Sequence, residues 1–280
     1  MLPLRRSPLF KVTSSENAFD ERNINGTLFL NEDSEQRVDD KNGGAETLTV
    51  QQIIEINPPV EPNFISSGQI NLGVEIDRGN TDEDDYHLDA QTELRWPQDR
   101  ITMAFEGDIE ESDGRTTKQE AKYLSDYDHF ITEKFYSTAG LLLEHNKFAD
   151  LDLRTTINAG VGYQILENNR TNLSIEGSPG YLWENFDESS DRDYPVVLWR
   201  LQFDHYLFKD WELQAFHRHR FTQSLEDGSH YIFLSRTGLR IPLYENLQAT
   251  LQYNFDRDNA PADDADKDDR TTLITAGYKW

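Results

Sequence analysis

The chain has 280 residues, and its 52 Asp and Glu against 27 Lys and Arg give a formal net charge of −25. This excess of carboxylates argues against a general nucleic-acid binder, because too few cations are present to neutralise phosphates. The absence of cysteine excludes disulfides, thiolate nucleophiles and Cys-based zinc sites. No stretch approaches the roughly 18 consecutive apolar residues of a membrane helix, so a membrane span here would have to be built from strands.

The front of the chain is predicted to form a unit of its own. Segments 25–30 and 46–56 are strand-like, and the proline-rich stretch 57–63 indicates a stiff extended linker. We interpret residues 1–60 as a small periplasmic β module that is incomplete at its start; the alternative is a partly disordered leader. Residues 1–10 contain no apolar core long enough for a secretory signal, so either the protein is not exported or its true start lies upstream.

From about residue 64 onward, the apolar residues alternate with polar ones at the period of a β-strand. In the stretch 86–96, for example, Tyr86, Leu88 and Leu94 share one face, while polar side chains occupy the other. This pattern predicts twelve strands, at 64–78, 85–96, 101–111, 118–130, 135–148, 153–166, 171–184, 195–207, 211–222, 230–242, 247–257 and 270–280.

Short and long connections are expected to alternate between these strands. The short ones are 97–100, 131–134, 167–170, 208–210 and 244–246, and the long ones include 79–84, 111–118, 186–194, 224–229 and 259–269. Tight turns at one end and long acidic loops at the other are typical of a transmembrane β-barrel. Five aromatic residues adjoin the short turns, where an interfacial aromatic belt would lie: Trp96, Phe208, Trp211, Tyr244 and Trp280.

The sequence therefore predicts an all-β fold: a twelve-stranded antiparallel transmembrane barrel at residues 64–280, with the small N-terminal β module. In this barrel Ile274, Ala276 and Tyr278 would face lipid, and Trp280 would anchor the last strand at the inner interface. Strand alternation alone also describes a soluble β-sandwich or a lipocalin-like barrel, whose apolar face would point inward.

If the apolar face points outward, the polar face lines the barrel. The candidate pore-lining residues are Glu75, Asp77, Asp89, Glu93, Glu106 and Asp108 on the early strands and Arg154, Arg200, Arg218, Arg220, Arg236 and Arg240 on the later ones. Carboxylates on one wall and guanidiniums on the other would create a transverse field that biases ion passage. The alternative is that these charges pair across the interior and fill it.

Two further features of the sequence are candidate sites. His217 and His219 share a strand face, and such a pair can ligate a metal or supply a base, but we expect interfacial side chains rather than a catalytic or metal site. The acidic stretches 80–85 and 261–269 lack EF-hand spacing, so only loose divalent cations bridging the loops to lipopolysaccharide phosphates are expected. No cofactor is predicted.

Four segments carry a resemblance to a known family: 72–82, 148–165, 171–186 and 217–243. Their most specific parts are G-N-T after the first barrel strand, D-L-R-T at the start of the sixth and S-R-T-G-L in the tenth. Over about residues 66–280 the chain resembles the salt-induced outer membrane proteins of Gram-negative bacteria, domain of unknown function family 481. The resemblance implies an outer-membrane barrel, with membrane lipid, lipopolysaccharide and the barrel-assembly machinery as partners, and no settled activity.

The leading function hypothesis is a non-enzymatic envelope protein: a narrow solute or ion channel, or a structural barrel, linked to salt or osmotic stress. The stress link comes from the family name alone. The alternatives are an outer-membrane lipid hydrolase built around His217 or His219, and a soluble β-barrel that binds a small apolar ligand.

Overall fold

The computed structural model describes residues 10–15, 21–30, 35–40, 45–49, 53–56, 64–77, 82–208, 211–262 and 265–280, and only the backbone of residues 10–56 and 76–77 among these. The chain divides into two compact units, Met1–Pro62 and Asn63–Trp280. None of the described residues forms a helix long and apolar enough to cross a membrane, a finding that does not bear on strands.

The first unit contains one antiparallel sheet. Its strands are β1 (Phe10–Ser15), β2 (Glu21–Leu30), β3 (Glu35–Asp40), β4 (Ala45–Thr49) and β5 (Ile53–Ile56). They lie in the order β4-β3-β2-β1-β5, so the first strand is enclosed by the second and the fifth. Strands β2, β4 and β5 overlap the predicted strand-like segments, whereas β1 and β3 were not predicted.

The second unit is a closed barrel in which each strand pairs antiparallel with the next. Its twelve strands are β6 (Ile65–Asp77), β7 (Glu83–Arg95), β8 (Asp99–Ser112), β9 (Arg115–Phe130), β10 (Phe135–Asn146), β11 (Leu151–Glu167), β12 (Thr171–Phe186), β13 (Arg192–Tyr206), β14 (Gln214–Ser224), β15 (Tyr231–Tyr244), β16 (Leu247–Asp258) and β17 (Asp268–Lys279). The predicted strand number and order are confirmed.

The barrel is apolar outside and mainly polar inside, where one buried apolar cluster is formed by Leu182, Tyr194, Val196, Leu198 and Ile232. In β16, Gln248 and Thr250 are buried, whereas Leu247 and Leu251 are exposed. Because successive side chains of a strand point to opposite faces, the same alternation recurs around the wall, and Ile274 on β17 is 78% exposed. This orientation suits a barrel surrounded by lipid and is the reverse of what a soluble barrel requires.

Two connections differ from the prediction. The expected long loop 111–118 is mostly strand, because Asp113 and Gly114 have φ of 49° and 72° and close β8 and β9 in a two-residue hairpin turn. Of the expected short turn 208–210, residues 209 and 210 lie outside the described residues; β13 ends at Tyr206 and β14 begins at Gln214, and the amide of Leu207 donates to the carbonyl of Leu213 at 2.9 Å. Short and long connections therefore do not alternate strictly.

The barrel closes between its last and first strands. Residues Ala276 and Lys279 on β17 lie opposite Leu72 and Gln69 on β6. Beyond this ladder, Gly68 and Trp280 exchange two backbone hydrogen bonds, each 3.0 Å long. The exposed side chains of Ile274, Tyr278 and Trp280 point outward, as expected.

Candidate functional site: the barrel lumen

The inward-facing side chains of β6–β17 form the lumen, and their most regular feature is a row of charges. Six residues on six consecutive strands, β8–β13, are cross-strand neighbours with alternating sign: Glu106, Lys122, Glu144, Arg154, Glu184 and Arg192. We call this set the charge row. Glu184 is fully buried, accepts a hydrogen bond from Arg154 Nε at 2.7 Å and is also paired with Arg192. The alternation of sign lets each buried charge face an opposite one.

Ion pairs also connect opposite sides of the wall. Arg236 on β15 reaches Glu106 on β8, with both Arg236 Nε–Glu106 Oε1 and Arg236 Nη2–Glu106 Oε2 at 3.0 Å. Asp256 on β16 pairs with Arg236 and with Lys122 of the charge row. Strands β8 and β15 lie five places apart in the ring of twelve, as do β9 and β16, so these bonds cross the lumen. The side chains of these ion pairs extend across the lumen and reduce its width at that depth.

A second group of charges lies on β13–β15. It comprises Arg200, Arg218, Arg220 and Arg240, here called the arginine cluster. Arg200 pairs with Asp126 and Glu176, and Arg220 approaches the same Asp126 at 3.5 Å. Asp204 is shared by Arg240 at 3.0 Å and Arg218 at 3.6 Å. Carboxylates thus lie between pairs of guanidiniums.

Next to this cluster, a buried network fills the short-turn end of β8–β12. The guanidinium of Arg100 donates to Asp128 Oδ2 through Nε at 2.8 Å and to Gln164 Oε1 at 3.2 Å. The hydroxyl of the fully buried Tyr136 donates to Glu176 Oε1 at 3.0 Å. The Tyr136 ring lies over Gly162, where any Cβ would come within 2.3 Å of ring atoms. Glycine is therefore required beneath the ring.

Three cavities follow one another along the lumen. The short-turn cavity, of about 270 Å³, is lined by Ser67, Glu93 and Lys279 among others. The central cavity, of about 190 Å³, is lined by the arginine cluster and by Asp89, Glu106, Lys122 and Arg236, with several apolar side chains. The long-loop cavity, of about 110 Å³, is lined by Glu144, Arg154, Asp256 and Asp258. The lumen is therefore neither completely filled nor open throughout.

Most of the predicted pore-lining residues lie in the ion pairs and cavities of the lumen. Arg154, Glu106 and the five predicted arginines of β13–β15 take part in the ion pairs described above. Asp89 and Asp108 flank the buried His87, which lies 3.4 Å from Asp89 Oδ2 and 2.8 Å from Asp108 Oδ1. Glu93 lines the short-turn cavity, Glu75 is exposed, and the side chain of Asp77 lies outside the described residues.

The expected separation of charges into two walls is wrong. Arg100 and Lys122 lie on early strands, while Glu176, Glu184, Asp204 and Asp256 lie among the later arginines. Most of these charges pair locally or across the lumen, as the alternative interpretation held. Sequence reasoning missed several partners that strand parity could have found: in β9, Lys122, Asp126 and Asp128 share one face, opposite Tyr123 and Tyr127.

The five aromatic residues expected in an interfacial belt all lie at the short-turn end. Phe208, Trp211, Tyr244 and Trp280 are between 48% and 68% exposed, and Phe208 stacks on Trp211 with centroids 5.8 Å apart. Trp96 packs against Phe64 at a centroid distance of 5.1 Å. Their contact with a membrane interface stays a prediction.

On the outer face, the two histidines of β14 belong to a hydrogen-bonded chain. Trp199 Nε1 donates to His219 Nε2 at 3.0 Å, His219 Nδ1 lies 3.0 Å from His217 Nε2, and His217 Nδ1 lies 2.7 Å from Thr237 Oγ1. Since the indole can only donate, two neutral histidines satisfy the whole chain. All four ring nitrogens are thus engaged.

At the long-loop end, Asp150 organises the connection between β12 and β13. Its carboxylate oxygens accept hydrogen bonds from the amides of Glu188 at 2.8 Å and Ser189 at 2.9 Å. Hydrogen bonding from Ser189, together with the neighbouring backbone amides, lowers the pKa of Asp150. Among the described residues, which omit parts of both acidic stretches, no group of three or more His, Asp or Glu could hold a metal ion.

The fold and the lumen together define a membrane-spanning β-barrel with a charged, segmented interior. The chain belongs to the family described as "Protein of unknown function, DUF481", whose model matches residues 70–280. A comparison with curated proteins gives no significant match.

Solved structures similar to this chain include an autotransporter translocator domain, a porin and a FadL homologue. The translocator domain of the autotransporter NalP from Neisseria meningitidis is 10% identical, with a TM-score of 0.41 over 78% of this chain and 89% of that one. The NanC porin is 9% identical, with a TM-score of 0.43 over 77% and 97%. A Pseudomonas aeruginosa FadL homologue is 9% identical, with a TM-score of 0.31 over 97% and 86%.

Proposed function

We propose that this protein is a non-enzymatic barrel of the Gram-negative outer membrane that acts as a narrow channel for small solutes or ions. The observation that carries the proposal is the succession of cavities along the lumen. The central cavity shares Gln69, Gln91 and Arg218 with the short-turn cavity, and Lys122 and Leu234 with the long-loop cavity. A polar route of this kind would serve passage, whereas a barrel with a purely structural role needs no succession of cavities.

We place the constriction of this route at the cross-lumen ion pairs, because their side chains extend across the lumen. Lys122 lines both the central and the long-loop cavities and pairs with Asp256. Charged side chains at a constriction set which ions pass and how fast. We therefore expect low conductance that depends on Lys122.

Conductance of the refolded protein in a planar bilayer tests the proposal. Lys122→Ser should raise single-channel conductance several-fold, because it shortens a side chain at the constriction while Arg236 still pairs with Asp256. The control is Lys118→Ser on the same strand, whose ammonium lies 3.7 Å or more from Glu110, Glu120 and Asp269 near the barrel rim. Absence of conductance from the wild type and from Lys122→Ser would favour the structural barrel instead.

The absence of enzymatic activity is also a proposal, supported by the histidine chain on the outer face. A general base needs a ring nitrogen that can accept a proton from its substrate or nucleophile. In His217 and His219, each nitrogen already has a hydrogen-bond partner. A lipid-hydrolysing activity that disappears in His219→Ala while the barrel stays folded would contradict this proposal and support the hydrolase.

Membrane lipid, lipopolysaccharide and the barrel-assembly machinery are the proposed partners, and loose divalent cations are proposed at the acidic loops. Cell fractionation would test the location. Deletion of 261–269 should reduce sensitivity to a chelator if those carboxylates bridge cations to lipopolysaccharide. The link to salt or osmotic stress is tested by comparing protein levels in cells grown at low and high salt.

A further inference from the structure

The arginine cluster has fewer carboxylates than cations. Its four guanidiniums, of Arg200, Arg218, Arg220 and Arg240, share Asp126, Glu176 and Asp204. Arg200 and Arg220 are direct cross-strand neighbours, so their charges lie side by side. The two other carboxylates that line the central cavity are engaged elsewhere, Glu106 with Arg236 and Asp89 with Asn71 and His87. Positive charge is locally in excess.

Several N–H donors of this cluster have no hydrogen-bond partner among the residues that the structure describes. They are the Nε of Arg218, the Nη1 of Arg220 and the Nε of Arg240, each buried from solvent. Arg220 and Arg240 are only 9% and 7% exposed. A buried donor of a charged group without an acceptor is costly, whereas a bound oxyanion would accept from it. All three residues line the central cavity.

The opposite side of the central cavity carries an apolar patch beside Thr102, Glu106 and Lys122. Ala104, Leu124 and Leu142 form this patch on β8–β10. These strands lie across the ring from β14–β16, so the apolar patch faces much of the arginine cluster. Phe216 on β14 adds a separate apolar surface on the arginine side, with the guanidinium carbon of Arg240 4.1 Å from its ring centroid. A ligand in this space would meet guanidiniums on one side and, on the other, an apolar patch next to the paired charges of Glu106 and Lys122.

We propose that the central cavity is a binding site for small organic carboxylates that carry an apolar body. The carboxylate would accept hydrogen bonds from Arg218, Arg220 and Arg240, since a guanidinium fork matches carboxylate geometry. The apolar body would pack against Leu124 and Leu142. This inference rests on the proposed function, because a solute must enter the lumen to reach the cavity. It adds the chemical class of that solute.

Titration calorimetry of the detergent-refolded barrel at constant ionic strength tests the site with three probes. Benzoate should bind at least tenfold more tightly than acetate, which lacks the apolar body, and benzylammonium should not bind. Arg218→Gln should weaken benzoate binding at least tenfold. Arg270→Gln is the matched control, because Arg270 is an exposed residue near the long loops that lies 3.2 Å from Asp268. Comparing the two variants in one detergent removes any contribution from benzoate partitioning into micelles.

Benzylammonium binding as tight as benzoate binding, equal affinity for acetate, or unchanged affinity in Arg218→Gln would each overturn the inference. If Arg218→Gln does not refold, the wild type still provides a test. Benzoate should raise the temperature at which the barrel unfolds in SDS, and benzylammonium should not; equal effects would overturn the site. A barrel that conducts but does not bind benzoate contradicts this inference alone, whereas one that binds benzoate without conducting contradicts the channel.

Discussion

The orientation of the barrel wall makes a sharp prediction for two adjacent residues of β16. Leu251 points outward and is flanked across the strands by Leu239 and Ile274. Gln252 lines the central cavity and donates a hydrogen bond to Asn254 Oδ1 at 2.8 Å. Leu251→Arg should therefore impair folding in a membrane, and Gln252→Arg should be tolerated.

The expected difference can be worked from these environments. An arginine on the lipid face near the bilayer midplane costs about 2–4 kcal/mol. In the lumen, the substitution removes one hydrogen bond, which contributes about 1 kcal/mol. The gap of about 1–3 kcal/mol corresponds to a roughly 5- to 150-fold difference in the folding equilibrium.

The assay is urea titration of both variants and the wild type in lipid vesicles, with the folded fraction read from gel mobility of unboiled samples in SDS. Leu251→Arg should show the lower urea midpoint. Equal midpoints, or a lower midpoint for Gln252→Arg, would refute the assignment of the outer and inner faces.

Three other changes test the interior and one loop. Gly162→Ala should destabilise the barrel by about 1–3 kcal/mol in urea unfolding, because a Cβ would meet the buried tyrosine ring, whereas Gly177→Ala, with no atom within 4 Å, should not. Arg236→Gln should cost about 3–5 kcal/mol in the same assay, since it leaves two carboxylates without their guanidinium; an unchanged midpoint would count against cross-lumen pairing. The lowered pKa of Asp150 means that its stabilisation of the β12–β13 connection is present above its ordinary pKa of about 4 and is lost as the pH falls through the lowered value. Hydrogen exchange of that connection, corrected for intrinsic rates, should rise on acidification in the wild type, and Asp150→Asn should abolish this pH dependence.

The barrel could be predicted from the sequence because its wall repeats one local rule. Each strand alternates an apolar lipid-facing residue with a polar lumen-facing one, and antiparallel neighbours follow in chain order. The alternation of Leu247, Leu251 and Tyr253 with Gln248 and Thr250 already contains this information.

The lumen could not be predicted to the same depth, because its contacts depend on closure of the ring. Arg236 and Glu106 are 130 positions apart, and no local pattern indicates that they meet. The hairpin at Asp113 and Gly114 was missed for a different reason: polar residues on both sides of the turn resemble a loop in sequence while they continue the strands in space.

The barrel also has a place where its wall is held less firmly. Described pairing between β17 and β6 is confined to residues 69–72 and 276–279 and the adjoining Gly68 and Trp280, whereas pairing between β6 and β7 extends from Ile65 to Asp77. Because each ladder contributes hydrogen bonds in proportion to its length, this seam requires the least work to separate. Separation of neighbouring strands would therefore begin at this seam rather than along any of the longer described ladders.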